Sequence, residues 1–574
     1  MTTIPRDGSV ERVTTILYTL VTQHCVNAVF PGGVNPYIGA ASKLPHARSL
    51  ARRGGLLEGM QCPCVAGVEW SPRSARWIEF LLIRLLLSEP ENQILNSSKT
   101  VLLAVSCAAS LAVLSACGGG TKSAVATTAP QGPATGPSNS WTWASGAYVA
   151  GAWGSYGAIG AGTVSTAPGA RNAPVAWRDS AGNLWLFGGL GYDSTGTGGS
   201  LNDLWEFSPT TSLWTWMGGA STVNPIGVYG TLGVAASTNV PGGREAALSW
   251  TDSTGNVWLF GGSGLATTGS GGDLNDLWKY APATGQWTWM AGSAVVNAVG
   301  AYGVRGVPDS VSSPGAREAS VTWTDSSDNL WLFGGTGFDS TGSAGSLNDL
   351  WEFNPTTSQW TWVSGANTTN VAGQYGIAGV AAPTNVPGAR FTAVSWIDAS
   401  GNLWLFGGQG YDATGTNGAL NDLWEFTPGT GLWTWVGGSS NVGGFGQYGT
   451  AGTAASTNIP GGREEPTAWT DSSGNFWLFG GLGIDSVGTN GYLDDLWMFS
   501  PGTGLWTFVK GSTLANTTGS YGTILSGAAG NIPGSRFGAV GWLGAGNSLW
   551  LFGGQGSDAS GAVSYLNDMW KYTP

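Results

Sequence analysis

The sequence predicts an all-β protein, a β-propeller of six blades with four strands in each, and three observations predict it. The pentapeptide Trp185-Leu186-Phe187-Gly188-Gly189 returns at Trp258, Trp331, Trp404, Trp477 and Trp550, each 73 residues after the last. A fixed long period marks an array of supersecondary units that cannot bury a core singly. Each unit holds four short runs rich in Trp, Phe, Val and Leu, separated by turn-forming residues, and no helical period is sustained in it. Finally, the landmarks are out of phase at the two ends. The first is a lone fourth strand at residues 141–143 (Trp141, Thr142, Trp143) and the last a lone third strand at 566–572. The first strand is therefore expected to complete the last blade, closing the ring and removing two exposed edges.

The strands follow in order from the second repeat. They are expected at 244–250, 257–261, 274–280 and 287–290. The first connection, Asp252-Ser253-Thr254-Gly255-Asn256, has the composition of a tight turn, and the third, 281–286, is also short. Strands alternate direction, so the two longer connections emerge on the opposite face. In the first repeat these are 190–200, between the second and third strands, and 217–240, between one blade and the next. Long loops gathered on one face of a rigid scaffold are where binding is usually placed.

The charged fraction is 10% and the formal net charge −12. Of 22 basic residues 10 lie in residues 1–117, as do 7 of 34 acidic ones, leaving 12 minus 27, or −15, for residues 118–574. So acidic a repeat region argues against nucleic acid as a partner. All five cysteines and both histidines precede residue 118. His24, Cys25, Cys62 and Cys64 fit no zinc spacing, so neither a metal nor a cofactor is expected.

Lys99 precedes an apolar run from Val101 to Val113, followed by Leu114-Ser115-Ala116-Cys117. A run this short, ending in small residues, reads as an export signal rather than a membrane span. The final four residues resemble the lipobox of bacterial lipoproteins. That resemblance implies that Cys117 is lipidated and becomes the mature N-terminus, and Gly118 in place of the Asp retention signal favours the outer membrane. The expected location is the bacterial cell envelope, at the outer membrane or cell surface, with the membrane met only through the lipid. Export machinery reads the extreme N-terminus, so translation is expected to start near Leu95. The chain then divides into an upstream segment (1–94), a signal peptide (95–117), a flexible tether (118–140) and a monomeric propeller (141–574).

The repeat landmarks resemble the kelch family. They are a Gly-Gly pair closing the second strand, Asn-Asp-Leu-Trp with a following aromatic on the third, a Trp on the fourth, and Pro-x-x-Arg opening the first. The resemblance covers residues 141–574 and departs from the family in repeat length, 73 residues against about 50. Copper oxidases on kelch-like propellers need His and Cys ligands, which residues 118–574 lack. Bacterial sialic-acid epimerases share the six-bladed form, and the resemblance makes a carbohydrate-active enzyme, an epimerase or a lyase, the alternative to a pure binding module.

Candidate site residues divide between these readings. For catalysis, the repeated Arg with a following Glu places Arg244, Arg317 and Arg463 with Glu245, Glu318 and Glu464 at the channel mouth. The competing reading pairs each Arg with the repeated Asp of Asn-Asp-Leu-Trp, two strands and about 9 to 10 Å away. For binding a protein or glycan, a Tyr-Gly pair recurs in the inter-blade loops at Tyr156, Tyr229, Tyr302, Tyr375, Tyr448 and Tyr521. The competing reading has each Tyr anchoring its loop to a blade. Specificity should sit where the repeats differ: Arg305 with Asp309 nearby, then Trp153 and Phe445. Asp193, Asp339, Asp412, Asp485 and Asp558 in the shorter loops suit Asx turns better than calcium, which wants six to eight oxygens.

Overall fold

The computed structural model describes residues 132–574. The upstream segment, the signal peptide and Cys117 lie outside the described residues. Six antiparallel units follow one another, each ordered first, second, third, fourth strand from the centre outward. In the second blade the inner strand comes in two pieces, Arg244–Glu245 and Leu248–Thr251. It is followed by Val257–Leu265, Gly271–Ala281 and Gln286–Ala291. Every inner strand lies against those of both neighbouring blades, and the sixth lies against the first, so the ring is closed.

Closure uses the strand expected to supply it. Ser140–Ser145 pairs antiparallel with Met569–Thr573, setting Trp141 opposite Tyr572 and Trp143 opposite Trp570. The fold begins earlier than the sequence suggested. Ser212 Oγ donates to the Gly132 carbonyl (2.7 Å), Lys571 Nζ to that of Ala134 (3.1 Å), and Thr135 bridges Ser526. The last residues of the expected tether are thus fixed to the propeller.

The core lies between blades, because a lone four-stranded sheet has two apolar faces and can cover neither. One cluster joins Trp250, Trp258 and Phe260 of the second blade to Leu332, Trp351 and Trp360 of the third, and an equivalent one joins the first blade to the sixth. Trp351 is completely buried. A Trp buried in this way contributes up to roughly 4 to 6 kcal/mol at about 25 cal/mol/Å². The Gly-Gly pair sits where neighbouring blades come closest. Gly188 and Gly189 have φ of 68° and 97°, and a Cβ on Gly188 would stand 2.9 Å from the Arg244 carbonyl of the next blade.

The 23 residues beyond an ordinary repeat of about 50 have two structural uses. The second and third strands run past the Gly-Gly pair into a hairpin, so that 190–200 is mostly strand: Leu184–Tyr192 and Gly198–Ser208 pair up to Tyr192 opposite Gly198. Asp193 closes the turn, its Oδ1 accepting the N–H groups of Thr195 and Thr197. The inter-blade loop starts on that hairpin face but then runs outward as a strap along the fourth strand of the blade it enters. Gly233 N–H donates to the Trp289 carbonyl and Gly306 N–H to that of Trp362, both at 2.8 Å. Ala236 bridges Trp287, and Ala454–Ala455 forms a strand against Trp506 and Thr507. The straps occupy outer edges that would otherwise be open to pairing with another chain.

Candidate functional site

The repeated Arg opens the inner strand and the repeated Asp sits in the third, and the fold brings them together inside each blade. In the third blade Arg317 Nη1 and Nη2 donate to Asp349 Oδ1 and Oδ2 at 2.7 and 2.8 Å. The remaining Arg317 contacts are with the carbonyls of Gly315 and Gly334. Asp349 Oδ2 also accepts from Trp351 Nε1 (2.7 Å) and the Tyr302 hydroxyl (2.6 Å). All six blades repeat the Arg–Asp pair with side chains at most 1% exposed. Burial alone would lower the Arg317 pKa, but the Asp349 carboxylate overrides it, so the guanidinium stays charged.

This geometry removes Arg244, Arg317 and Arg463 from the channel mouth and from contact with a ligand. It does the same for the six tyrosines. Tyr156, Tyr229, Tyr302, Tyr375, Tyr448 and Tyr521 are 4 to 6% exposed, and each hydroxyl is given to a repeated Asp. Burial, then the Asp349 charge, push the Tyr302 hydroxyl far up. Each tyrosine ties its strap to the buried ion pair of the blade it enters.

Arg305 and Asp309 lie on the strap of the third blade, at the rim. The Arg305 guanidinium stacks 4.4 Å over Trp362 and donates to the Gly365 carbonyl (2.6 Å), and Asp309 bridges Trp360. Trp153 and Phe445 are on the hairpin face. They belong to one repeated position that packs over the turn glycine of a hairpin, Trp153 over Gly196 and Phe445 over Gly488. Phe445 is 55% exposed.

The same face contains the channel mouth, which is built differently from the blades. Between the two pieces of every inner strand stands one residue with φ between 46° and 64°: Ala173, Ala246, Ala319, Thr392, Glu465 and Gly538. Each donates its N–H to the carbonyl of the same residue one blade back, at 2.8 to 3.1 Å, and Ala173 donates to Gly538, completing a ring of six hydrogen bonds. A left-handed conformation costs a residue with a Cβ about 1 to 2 kcal/mol, and the closed ring holds five of them in it. Just above lie Asn172, Glu245, Glu318, Phe391, Glu464 and Phe537. Here the sixfold identity is gone.

Glu245, Glu318 and Glu464 therefore reach the mouth, but without their arginines. Two further carboxyls that sequence reasoning missed, Glu465 in the ring and Asp273 on the third strand, complete the group. Burial raises all five. Burial, with Asp273 and Glu245 adding, pushes Glu318 up to about 7, and burial alone pushes Asp273 up to about 6. Burial, then Glu464, Glu245 and Glu318, push Glu465 up to about 8. Half-buried aromatic residues flank them: Phe537 stacks on Tyr492 at 5.4 Å, and Tyr565 meets Tyr192 edge-on at 5.8 Å. Among the described residues no three His, Cys, Asp or Glu side chains are placed to hold a metal ion. A cleft of about 330 Å³ between the fourth and fifth blades is lined by groups such as Asn421, Gln447 and Asn458 and has no titratable side chain.

Among solved structures, one described as "Structure of YjhT" is similar to this chain, with 16% identity and a TM-score of 0.42, the match covering 70% of this chain and 95% of that one. No family model matches the chain, and no curated protein does. The fold is plain from the blades themselves: six four-stranded units in a closed ring, each with its Gly-Gly pair and its buried Arg–Asp pair, make the chain a six-bladed, kelch-like β-propeller.

Proposed function

We propose that this propeller is a lipid-anchored protein of the bacterial cell envelope that binds a protein or glycan partner on its hairpin face, without chemistry. The observation that supports this reading is the contrast between saturated arginines and an unsaturated mouth. The buried Arg, Asp and Tyr groups of the six blades all have partners, whereas partly exposed aromatic rings and carboxyls that no basic side chain pairs among the described residues lie on one face. Rings beside a few convergent polar groups are the usual makeup of a binding site. Trp153 and Phe445, on hairpin tips of that face, are the outer contacts in this reading.

The epimerase-like alternative draws on the raised carboxyls of Glu318 and Glu465, since a general acid works best with a pKa near the operating pH. It lacks a partner for an anionic sugar, because Arg244, Arg317 and Arg463 are already bound to Asp276, Asp349 and Asp495. A glycan array and an envelope pull-down with the full chain, alongside Trp153→Ala and Phe445→Ala, test the binding reading. Capture that both variants leave undiminished would move the contact off this face. For the anchor, Cys117→Ala should release the protein from the detergent-extracted membrane fraction, and an intact N-terminus on mass spectrometry would sink that part.

A further inference from the structure

The ring of backbone hydrogen bonds uses the N–H and carbonyl groups of its six residues, leaving side chains to supply the chemistry of the mouth. One of them is out of place by the ordinary rules of burial. Glu465 Oε2 is buried with no hydrogen-bond partner, and a Cβ built on Gly538 of the next blade would stand only 2.7 Å from it. The carboxyl thus fills the space that the glycine leaves open. The same built Cβ would lie 3.2 Å from the Asn172 Cβ, and Asn172 Oδ1, in a residue 8% exposed, is also buried without a partner. Glu465 and Asn172, on different blades, thus both border Gly538, and each has a buried acceptor that is costly unless something donates to it.

The charges that Glu465 meets are Glu464 on its own strand, and Glu245 and Glu318 on the second and third blades. Thr392 is turned to Glu464, and Asp273 stands beside Glu318. Among the described residues no basic group faces it, because Arg463 of the same strand is turned into the blade onto Asp495. A donor with positive charge would be favoured by every one of these carboxyls. A metal ion does not fit, because the carboxyls do not converge as ligands. A primary ammonium is the smallest such group, and the half-buried faces of Phe537 and Tyr492 suit an aliphatic stem that carries it.

We infer that the channel mouth receives a primary alkylammonium group on an aliphatic stem, with Glu465 and Asn172 as its acceptors and Glu245, Glu318 and Glu464 supplying the field. This rests on the hairpin face being the binding face. Such a group is carried both by the lysine side chain of a protein partner and by a small polyamine. The raised carboxyls support the inference: an arriving cation favours their charged forms, so binding should expel protons between about pH 6 and about pH 8.

The test is calorimetric titration of the full chain with trilysine, with its Nε-acetylated counterpart, and with spermidine. Trilysine or spermidine should bind with one site per chain, with proton release and an affinity that rises roughly tenfold from about pH 6 to about pH 8. The acetylated peptide should not bind. Preference between the two amines tells the lysine source from the polyamine source. Glu465→Gln, isosteric and relieved of a buried charge, should weaken binding at least about tenfold, and Glu318→Gln by less. Equal binding of the charged and acetylated peptides, weakened alike by Glu465→Gln, would overturn the ammonium inference and leave the mouth as the binding site. Amine binding indifferent to both Gln variants, or absent at millimolar concentration, would overturn the inference too. The hairpin-face reading would then be decided by Trp153→Ala and Phe445→Ala against the captured partner.

Discussion

The Arg–Asp junctions and the channel mouth are less than one strand apart in sequence, yet they answer to opposite rules. At the junctions all six blades carry the same residues in the same contacts, and every carboxylate oxygen is occupied. At the mouth, one and two residues after the same arginine, the blades carry Asn172-Ala173, Glu245-Ala246, Glu318-Ala319, Phe391-Thr392, Glu464-Glu465 and Phe537-Gly538. A repeat protein needs the same interface at each boundary, so positions that build interfaces stay identical. A single ligand on the axis needs no sixfold contact, so positions that meet it are free to differ. Identity here marks structure, and departure from identity marks the candidate site.

The largest expected effect breaks the regular part. Deleting residues 140–145 removes Trp141 and Trp143, 0% and 6% exposed, and reopens the sixth blade. Two buried tryptophans contribute roughly 8 to 12 kcal/mol as an upper bound, comparable to the whole stability of an ordinary domain, about 5 to 15 kcal/mol. Denaturation should show gross destabilisation, or size exclusion a dimer formed by strand exchange. An unchanged melting temperature in a monomer would show that the fold does not depend on that strand.

Next in size is a single junction. Asp349→Ala leaves the buried Arg317 charge without its partner and the Trp351 and Tyr302 donors without an acceptor. Breaking a buried pair from one side costs about 3 to 5 kcal/mol. Urea denaturation is the measurement, and a loss below about 1 kcal/mol would mean that the pair is more solvated than its burial indicates.

The sequence made one of the two regions legible and hid the other. The junctions could be read because Arg and Asp recur in every unit, two strands apart, within reach of one side chain. The tyrosines posed a harder choice, since only the contact of Tyr302 with Asp349 decides between anchor and ligand contact. Glu465 was missed for a physical reason. Strict strand alternation turns one of two successive residues into the blade, but the left-handed backbone at Glu465 interrupts alternation, so that Glu464 and Glu465 both face the channel charges. Comparing the six units column by column after the arginine would have exposed the break. The departures at Arg305 and Asp309 lie instead in the outer half of an inter-blade loop, which is a strap.

The mouth predicts an effect of opposite sign. Glu465 is raised from its ordinary value of 4.5 to about 8 by burial and its acidic neighbours. The folded state therefore holds a proton that the unfolded state has released between those values. Stability falls as pH rises from about 4.5 to about 8 and is not recovered above that. Glu465→Gln should leave the melting temperature unchanged at about pH 4 and raise stability by about 4 kcal/mol at about pH 8. A loss at the higher pH would show that the carboxylate is held by donors, and the contrast with the junctions would collapse.

The smallest effect belongs to Arg305, which departs from sixfold identity but lies at the rim. Departure there has a local explanation, because the guanidinium covers Trp362 and bonds the Gly365 carbonyl, fastening its own strap to the third blade. An exposed cation–π contact contributes about 0.5 to 1 kcal/mol, and Arg305→Ala should cost about that much in denaturation. It should leave untouched the affinity of any ligand whose binding Glu465→Gln weakens, because the strap follows the outer strand while the mouth opens on the axis. An equal loss of affinity in both variants would join rim and mouth into one surface. The rule that departure marks the site would then extend to the straps, and the partner would have to be large enough to span the disc from its edge to its centre.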